Sequence, residues 1–106
     1  MRIPLSISPR GSKPFDIAGF GLNSVDLMTV VGEFPASNSK QRLQRFARMP
    51  GGQIATAIAT AARLGWTARY VGSFGDDEFG ALSRRSLDEE GVDVGAARTV
   101  AGATNQ

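Results

Sequence analysis

The chain has 106 residues, of which 42% are apolar, and it contains neither cysteine nor histidine. This length allows one domain, and the apolar share is that of a globular protein rather than a disordered one. Without cysteine and histidine, this chain has no disulfide framework, no thiolate or imidazole metal site, no cysteine nucleophile and no serine triad.

Positive and negative charges nearly balance, with 12 Lys and Arg against 10 Asp and Glu and a net charge of +2. Arg42, Arg45 and Arg48 form the one basic cluster, and Phe46 is the lone aromatic residue among them. A nucleic-acid interface usually needs a larger basic face or stacking aromatics. No apolar run approaches the about 18 residues of a membrane helix. We therefore expect a cytoplasmic protein that binds neither nucleic acid nor membrane.

The first half of the chain predicts strands. Residues 1–14 are expected to form a flexible tail, and ordered structure is expected to begin at residue 15. The segment 15–21 alternates apolar residues and ends in glycine, which predicts a buried strand that enters a turn. Val25–Val31 is rich in β-branched residues and predicts a second strand. Residues 40–49 show helical spacing but stop sharply at Pro50, so their local pattern leaves helix and strand open.

The second half of the chain alternates helix and strand. Small apolar residues predict a helix that starts at Gln53 and ends near Gly65, and alternation over residues 66–73 predicts a strand. A second helix is predicted to end at Gly91, and residues 92–94 can start another extended segment. This order favours an α/β fold with a parallel sheet and crossover helices. The predicted buried face of the second helix consists of Phe79, Leu82, Ser86 and Leu87.

Two glycine motifs and one acidic turn could carry chemistry. Gly19-Phe-Gly21 lacks the third glycine of a dinucleotide fingerprint and is followed by a strand pattern instead of a helix, so a Rossmann cofactor site is the weaker interpretation. Gly51-Gly52 directly before a helix can expose backbone amides to ligand oxygens, or can simply form a tight turn. The three adjacent acids at residues 76–78 open a helix, where Asp76 or Asp77 is predicted to act as a cap and not as a metal ligand.

Five segments of the chain form a pattern when they are taken together. They are Gly19-Phe-Gly-Leu-Asn-Ser-Val-Asp26, Pro50-Gly-Gly52, Ala59-Thr-Ala-Ala-Arg-Leu-Gly65, Val71-Gly-Ser-Phe-Gly-Asp-Asp-Glu-Phe-Gly80 and Gly91-Val-Asp93. In order and spacing these segments resemble the ribokinase-like (phosphofructokinase B type) carbohydrate kinases. The resemblance covers about residues 15–106, and residues 51–80 resemble the family's N-terminal signature.

The resemblance implies the N-terminal part of a three-layer α/β/α sheet with a small β lid, whose strands span about residues 25–49. It implies that Asp26 hydrogen-bonds sugar hydroxyls and that Asn23, in the same turn, is also a substrate-binding residue. Gly51 and Gly52 would touch the sugar and hinge the lid. Thr56 stands where many members have an asparagine that contacts sugar, and Gln53 stands where ribokinases often have lysine, so ribose is not favoured.

The implied function is an N-terminal fragment of an ATP-dependent kinase that phosphorylates a primary hydroxyl of a sugar or nucleoside. Family members are about three times this long, and their nucleotide, magnesium and catalytic-base motifs lie beyond residue 106. We therefore expect no catalytic, cofactor-binding or metal-binding residue in this chain, and no activity from the chain alone. The full-length enzyme would use ATP and Mg²⁺, and a homodimer through the lid is a further expectation. The alternative is a non-catalytic ribokinase-like module that binds a polyol or another chain.

Overall fold

The described strands form two parallel pairs and one antiparallel hairpin. A computed structural model describes residue 4 and residues 6–105. Residues 1–3, 5 and 106 lie outside it, and they include part of the predicted tail and the last residue of the predicted domain. In chain order the elements are β1 (Ile17–Phe20), β2 (Ser24–Val31), β3 (Leu43–Gly51), α1 (Gln53–Arg63), β4 (Ala68–Val71), β5 (Ser73–Gly75), α2 (Glu78–Glu89) and β6 (Arg98–Val100).

The core lies where the two helices pack against the parallel strands. Strand β1 pairs with β4 and β5 pairs with β6, and both pairs are parallel. Parallel neighbours require crossover connections, and α1 and α2 lie in those connections. The α/β architecture predicted from the sequence is therefore confirmed. The buried core residues are Ala55, Ile58, Ala68, Tyr70, Phe74, Leu87, Val92 and Ala97.

The prediction of one continuous strand over residues 66–73 is wrong, because two strands, β4 and β5, occupy this part of the chain. Strand β4 ends at Val71 and β5 begins at Ser73, and each pairs with a different neighbour. At Gly72, between them, a Cβ would overlap the hydroxyl group of Tyr70, whose side chain is fully buried. The chain therefore turns closely around the Tyr70 ring. The extended segment predicted at residues 92–94 is a single parallel bridge between Arg69 and Asp93.

Strands β2 and β3 form the hairpin that the resemblance implies as a lid. Of the ambiguous segment 40–49, residues 43–49 lie in strand β3 and not in a helix. Strand β3 pairs antiparallel with β2, from Ser24 opposite Gly51 to Val31 opposite Leu43. The register shifts between Val30 and Val31. A two-stranded hairpin can be held by its cross-strand pairs and its attachment to the core, and here the end at which Ser24 pairs with Gly51 connects to β1 and α1.

The buried face of helix α2 is shifted from the predicted one. Gly80, Ser83 and Leu87 are buried, whereas the other predicted residues, Phe79, Leu82 and Ser86, are half-buried. A Cβ at Gly80 would overlap the backbone of Gly75, which means that the helix approaches β5 along its glycine. Hydrophobic spacing could not reveal this, because glycine contributes no apolar side chain. Within the described residues, no helix combines the length and apolar character needed to cross a membrane.

The segment before β1 contacts residues 65–67, which connect α1 to β4. The Arg10 guanidinium donates a hydrogen bond to the Gly65 carbonyl and lies 5.6 Å from the centre of the Trp66 ring. Asp16 accepts from the Gly11 amide at 2.6 Å and from the Thr67 amide at 2.9 Å. The Gly11 amide and then the Thr67 hydroxyl lower the pKa of Asp16. The predicted domain boundary at residue 15 stays a prediction.

Candidate functional site

The two adjacent glycines stand at the junction between the hairpin and α1. Gly51 ends β3, and Gly52 is the N-cap of α1 with a φ of 96°, without a side-chain cap. A Cβ at Gly52 would lie 2.6 Å from the Cα of Asn23, so the backbone there is both left-handed and tightly packed. In the first turn of α1 the Ala55 amide donates to the Leu22 carbonyl at 3.2 Å. The junction therefore packs directly against the turn that follows β1.

Asp26 lies on the hairpin and faces this junction. It pairs with Met49 across the hairpin, and its side chain is exposed. Its Oδ1 accepts a hydrogen bond from the Ser24 hydroxyl at 3.3 Å. An ideal Cβ at Gly51 would lie 2.6 Å from its Oδ2. The carboxylate thus lies against the Gly51 backbone and keeps lone pairs that can accept hydrogen bonds from a ligand.

Asn23 lies beneath the junction and is buried, with 8% of its surface exposed. Its amide nitrogen Nδ2 donates to the Tyr70 hydroxyl at 2.6 Å and to the Ser73 carbonyl at 2.7 Å. Its Oδ1 accepts a hydrogen bond from Nδ2 of Asn105. Every polar group of this side chain therefore has a partner within the protein.

A cleft of about 160 Å³ runs from this junction along the groove between α1 and α2. Asn23, Gly51 and Thr56 line its upper part. Arg63 and Glu90 line its other end and form an ion pair with two hydrogen bonds. The pairing lowers the pKa of Glu90 and raises that of Arg63.

The five residues singled out from the sequence therefore form one contiguous group. Asn23, Gly51 and Thr56 share the cleft, Asp26 contacts Gly51 from the hairpin, and Gly52 packs on Asn23. The strand β1 and the hairpin bring Asn23 and Asp26 to the place where α1 begins. Since ligands of parallel sheets gather beyond the carboxyl ends of the strands, this is the expected location of a site.

The acidic turn before α2 has a structural role. Asp77 is the N-cap of α2 and accepts from the Gly80 amide at 2.8 Å, which confirms the predicted cap. The Thr104 hydroxyl and then the Gly80 amide lower the pKa of Asp77. Asp76 accepts from the Gly102 amide at 3.0 Å, whereas Glu78 forms an ion pair with Arg48 at 2.9 Å. Within residues 4 and 6–105, no three acidic side chains are placed together so that they could hold a metal ion.

Three residues around the site are missing from the sequence-based set. Tyr70 and Asn105 bond to Asn23, and Arg48 ties the hairpin to α2 through Glu78. Tyr70 could have been found, because a buried tyrosine in a strand pattern needs a partner for its hydroxyl. Nothing in the local pattern of Asn105 or Arg48 indicates these contacts.

Comparison with known proteins assigns this arrangement to a family. The model of the pfkB family of carbohydrate kinases matches residues 15–106. The chain belongs to this family. Fructokinase-1 of Oryza sativa subsp. japonica is 37% identical over 87 residues, which cover 82% of this chain and 26% of the rice protein. The fructokinase of Escherichia coli is 48% identical over 50 residues, which cover 47% of this chain and 16% of that protein.

Solved structures of pfkB-type kinases have the same fold over most of the chain. Fructokinase from Xylella fastidiosa superposes with a TM-score of 0.67 at 28% identity, covering 84% of this chain and 26% of that one. Aminoimidazole riboside kinase from Salmonella enterica, solved with aminoimidazole riboside and an ATP analogue, superposes with a TM-score of 0.64 at 34% identity. That match covers 83% of this chain and 26% of the Salmonella chain. The chain thus spans about a quarter of the length of these relatives.

Proposed function

We propose that this chain forms the sugar-binding part of an ATP-dependent kinase that phosphorylates a primary hydroxyl of a sugar or nucleoside. One observation carries the proposal: an exposed carboxylate, Asp26, lies against the bare backbone of Gly51 where α1 begins. A carboxylate accepts hydrogen bonds from two neighbouring hydroxyls, which suits a polyol. Membership of the pfkB family and the ATP analogue in the Salmonella relative support the kinase reaction.

Four residues would face the substrate. Asp26 would accept hydrogen bonds from sugar hydroxyls, and Gly51 and Gly52 would let the ring approach the backbone because they carry no side chain. Thr56 would offer one hydroxyl from the first turn of α1, where many family members offer an asparagine amide. A shorter side chain with one polar group leaves more room and fewer hydrogen bonds for the sugar. Asn23 would form the floor beneath these four residues.

The acidic turn before α2 does not fit a magnesium site. The carboxylates of the acidic turn are engaged with Gly80, Thr104, Gly102 and Arg48 and do not converge. Phosphoryl transfer depends on positioning and charge stabilisation around the transferred group, which a sugar-binding part alone cannot supply. We therefore expect no sugar-dependent ADP release from the 106-residue chain in a coupled assay with MgATP.

The hairpin would also carry the subunit contact. Both of its strands expose large apolar side chains, of which Leu27 is 55% and Phe46 52% exposed. Exposed apolar patches on a short sheet are typical of surfaces that pair with a partner. We propose a second copy of the hairpin as this partner, in a protein of the cytoplasm.

The sugar site can be tested on the chain itself by NMR. D-fructose, D-ribose and adenosine would each be titrated into ¹⁵N-labelled protein while the backbone amide signals are recorded. We expect the signals of Asp26, Gly51, Gly52 and Thr56 to move together with at least one of these compounds. The Asp26→Ala variant should lose these shifts, whereas Asp88→Ala, on the exposed face of α2, should keep them. Equal shifts in wild type and Asp26→Ala would refute the proposed site.

A further inference from the structure

The resemblance places Asn23 among the sugar contacts, but the bonding of its side chain points elsewhere. An asparagine amide has two N–H hydrogens, and those of Asn23 go to the Tyr70 hydroxyl at 2.6 Å and to the Ser73 carbonyl at 2.7 Å. Tyr70 is fully buried, so this hydroxyl has no access to solvent. If Asn23 turned towards a ligand, the Tyr70 hydroxyl, the Ser73 carbonyl and the Asn105 amide would each lose a hydrogen bond. Such losses usually exceed the gain from one new hydrogen bond.

The hydrogen bonds continue on both sides of Asn23. The Tyr70 hydroxyl donates to the Gly21 carbonyl at 2.6 Å. At the other end, Nδ2 of Asn105 donates to Oδ1 of Asn23, and Oδ1 of Asn105 accepts from the Gly75 amide at 2.6 Å. The result is an unbroken line of hydrogen bonds from the backbone after β1 to the backbone at the end of β5. We call Asn23, Tyr70 and Asn105 the amide network.

The amide network holds the turn on which the glycine junction rests. Leu22, between Gly21 and Asn23, accepts the hydrogen bond from the Ala55 amide at 3.2 Å. Gly52 packs so closely on Asn23 that a Cβ there would lie 2.6 Å from the Asn23 Cα. A shift of this turn would therefore move the start of α1 and the backbone that faces Asp26.

We propose that Asn23, Tyr70 and Asn105 are positioning residues, which set the place of Gly51, Gly52 and Thr56 without touching the substrate. The inference rests on the proposed function for the ligand, but the network itself can be tested without one. Because the bonds are buried and continuous, the loss of one member should loosen the junction more than an equal loss of packing elsewhere in the core.

The first test follows the side-chain amide of Asn23 by NMR. Its two N–H signals should exchange with solvent much more slowly than those of Asn38, an exposed asparagine in the loop between β2 and β3. They should also keep their positions when D-fructose or D-ribose is added at concentrations that shift the Asp26 signal. Exchange as fast as that of Asn38, or movement of the signals with the sugar, would overturn the proposal.

The second test uses Tyr70→Phe, which keeps the buried ring and removes the hydroxyl. We expect faster hydrogen exchange at the Ala55 amide and a sugar affinity about threefold to tenfold lower, the effect of roughly one hydrogen bond. The control is Val92→Ala, a core change outside the network at a residue that is 2% exposed. It should lower the melting temperature without a specific effect on Ala55 or on sugar affinity. Equal effects of both variants would mean that Tyr70 only packs the core.

The two proposals fail in different ways. If no sugar shifts any signal while the Asn23 amide is protected and Tyr70→Phe loosens Ala55, the sugar site is refuted and the positioning role stands. If Asp26 responds to sugar but Asn23 is unprotected, the positioning role is refuted and the sugar site stands.

Discussion

Gly51 and Asp26 occupy one side of the hairpin, so close that an ideal Cβ on Gly51 would lie 2.6 Å from Oδ2 of Asp26. Ser24 pairs with Gly51 and Asp26 pairs with Met49, which places Asp26 and Gly51 diagonally across one face of the two strands. The carboxylate of Asp26 therefore lies against the backbone of Gly51, because the strand register places it there and Gly51 has no side chain in the way. The same contact places the carboxylate beside the first turn of α1.

The two glycines of the junction should respond differently to alanine. Gly51→Ala meets a movable carboxylate, so it should cost little stability but weaken sugar binding by displacing Asp26. Gly52→Ala meets the backbone of Asn23 and Leu22 at 2.6 and 2.8 Å with a φ of 96°, so it should lower the melting temperature much more. Thermal unfolding followed by circular dichroism, together with the sugar titration, separates the two effects. Equal melting temperatures for both variants would contradict the close packing of Gly52 against Asn23 and Leu22.

Asp26 should account for sugar affinity in a complete enzyme. Replacing the matching 87-residue segment of rice fructokinase-1 by that of this chain would supply the missing kinase parts. In this hybrid, Asp26→Ala should weaken fructose use by about 1.5–3 kcal/mol, or about 10- to 150-fold in kcat/KM, the usual range for hydrogen bonds to charged groups. The KM for ATP should stay nearly constant. An unchanged kcat/KM for fructose, in a hybrid that folds and is active, would contradict the role of Asp26.

The acidic turn should tolerate asparagine. Asp77→Asn keeps an oxygen that accepts from the Gly80 amide, whereas Asp77→Ala removes it, so the alanine variant should lower the melting temperature more than the asparagine variant. In the hybrid enzyme, neither Asp76→Asn nor Asp77→Asn should change the magnesium concentration needed for half-maximal activity. A higher magnesium requirement in either variant would indicate that the turn binds the metal.

Acid should destabilise the protein through Asp16 and Asp77. Their hydrogen bonds hold both pKa values below the ordinary 3.8 in the folded state. As the pH falls, these two carboxylates take up protons more readily in the unfolded chain than in the folded protein. Their contribution to the free energy of unfolding is therefore fully present above pH 3.8, and it is lost as the pH falls through their pKa values in the folded protein. We expect the melting temperature to drop below about pH 4 and the drop to be smaller in Asp16→Asn. A drop of the same size in that variant would exclude Asp16 as a cause.

Arg48 should hold the hairpin against α2. Its guanidinium pairs with Glu78 at 2.9 Å and lies 5.2 Å from the centre of the Phe79 ring. Both charged groups are well exposed, so the pair is worth about 1 kcal/mol or less. Arg48→Gln should raise hydrogen exchange in β2 and β3 by a few fold, and added salt should do the same in the wild type. The matched control is Arg45→Gln on the same strand, which should leave exchange unchanged; equal effects would argue for a general influence of charge.

Local sequence patterns were sufficient for the elements whose residues interact with near neighbours. The spacing of small apolar residues predicted α1, and capping by an aspartate together with Gly91 predicted α2. The motifs that resemble the pfkB family also identified the group formed by Asp26, Gly51, Gly52 and Thr56. The two helices depend on positions within a few residues of one another, where periodicity, capping and backbone freedom act directly. Asp26 lies far from Gly51 in the chain, so this group rested on the resemblance and not on a local pattern.

The tertiary structure decided the features that depend on distant partners. Residues 43–49 have helical spacing but form a strand, because β2 offers them a continuous row of backbone partners. The buried face of α2 follows Gly80, which packs by having no side chain. Asn23 and Asn105 are 82 positions apart in the chain, so no local pattern relates them. The amide of Asn23 is bonded to protein groups, because a polar group buried away from water needs a partner from the protein. This is the observation from which we propose a positioning role for Asn23.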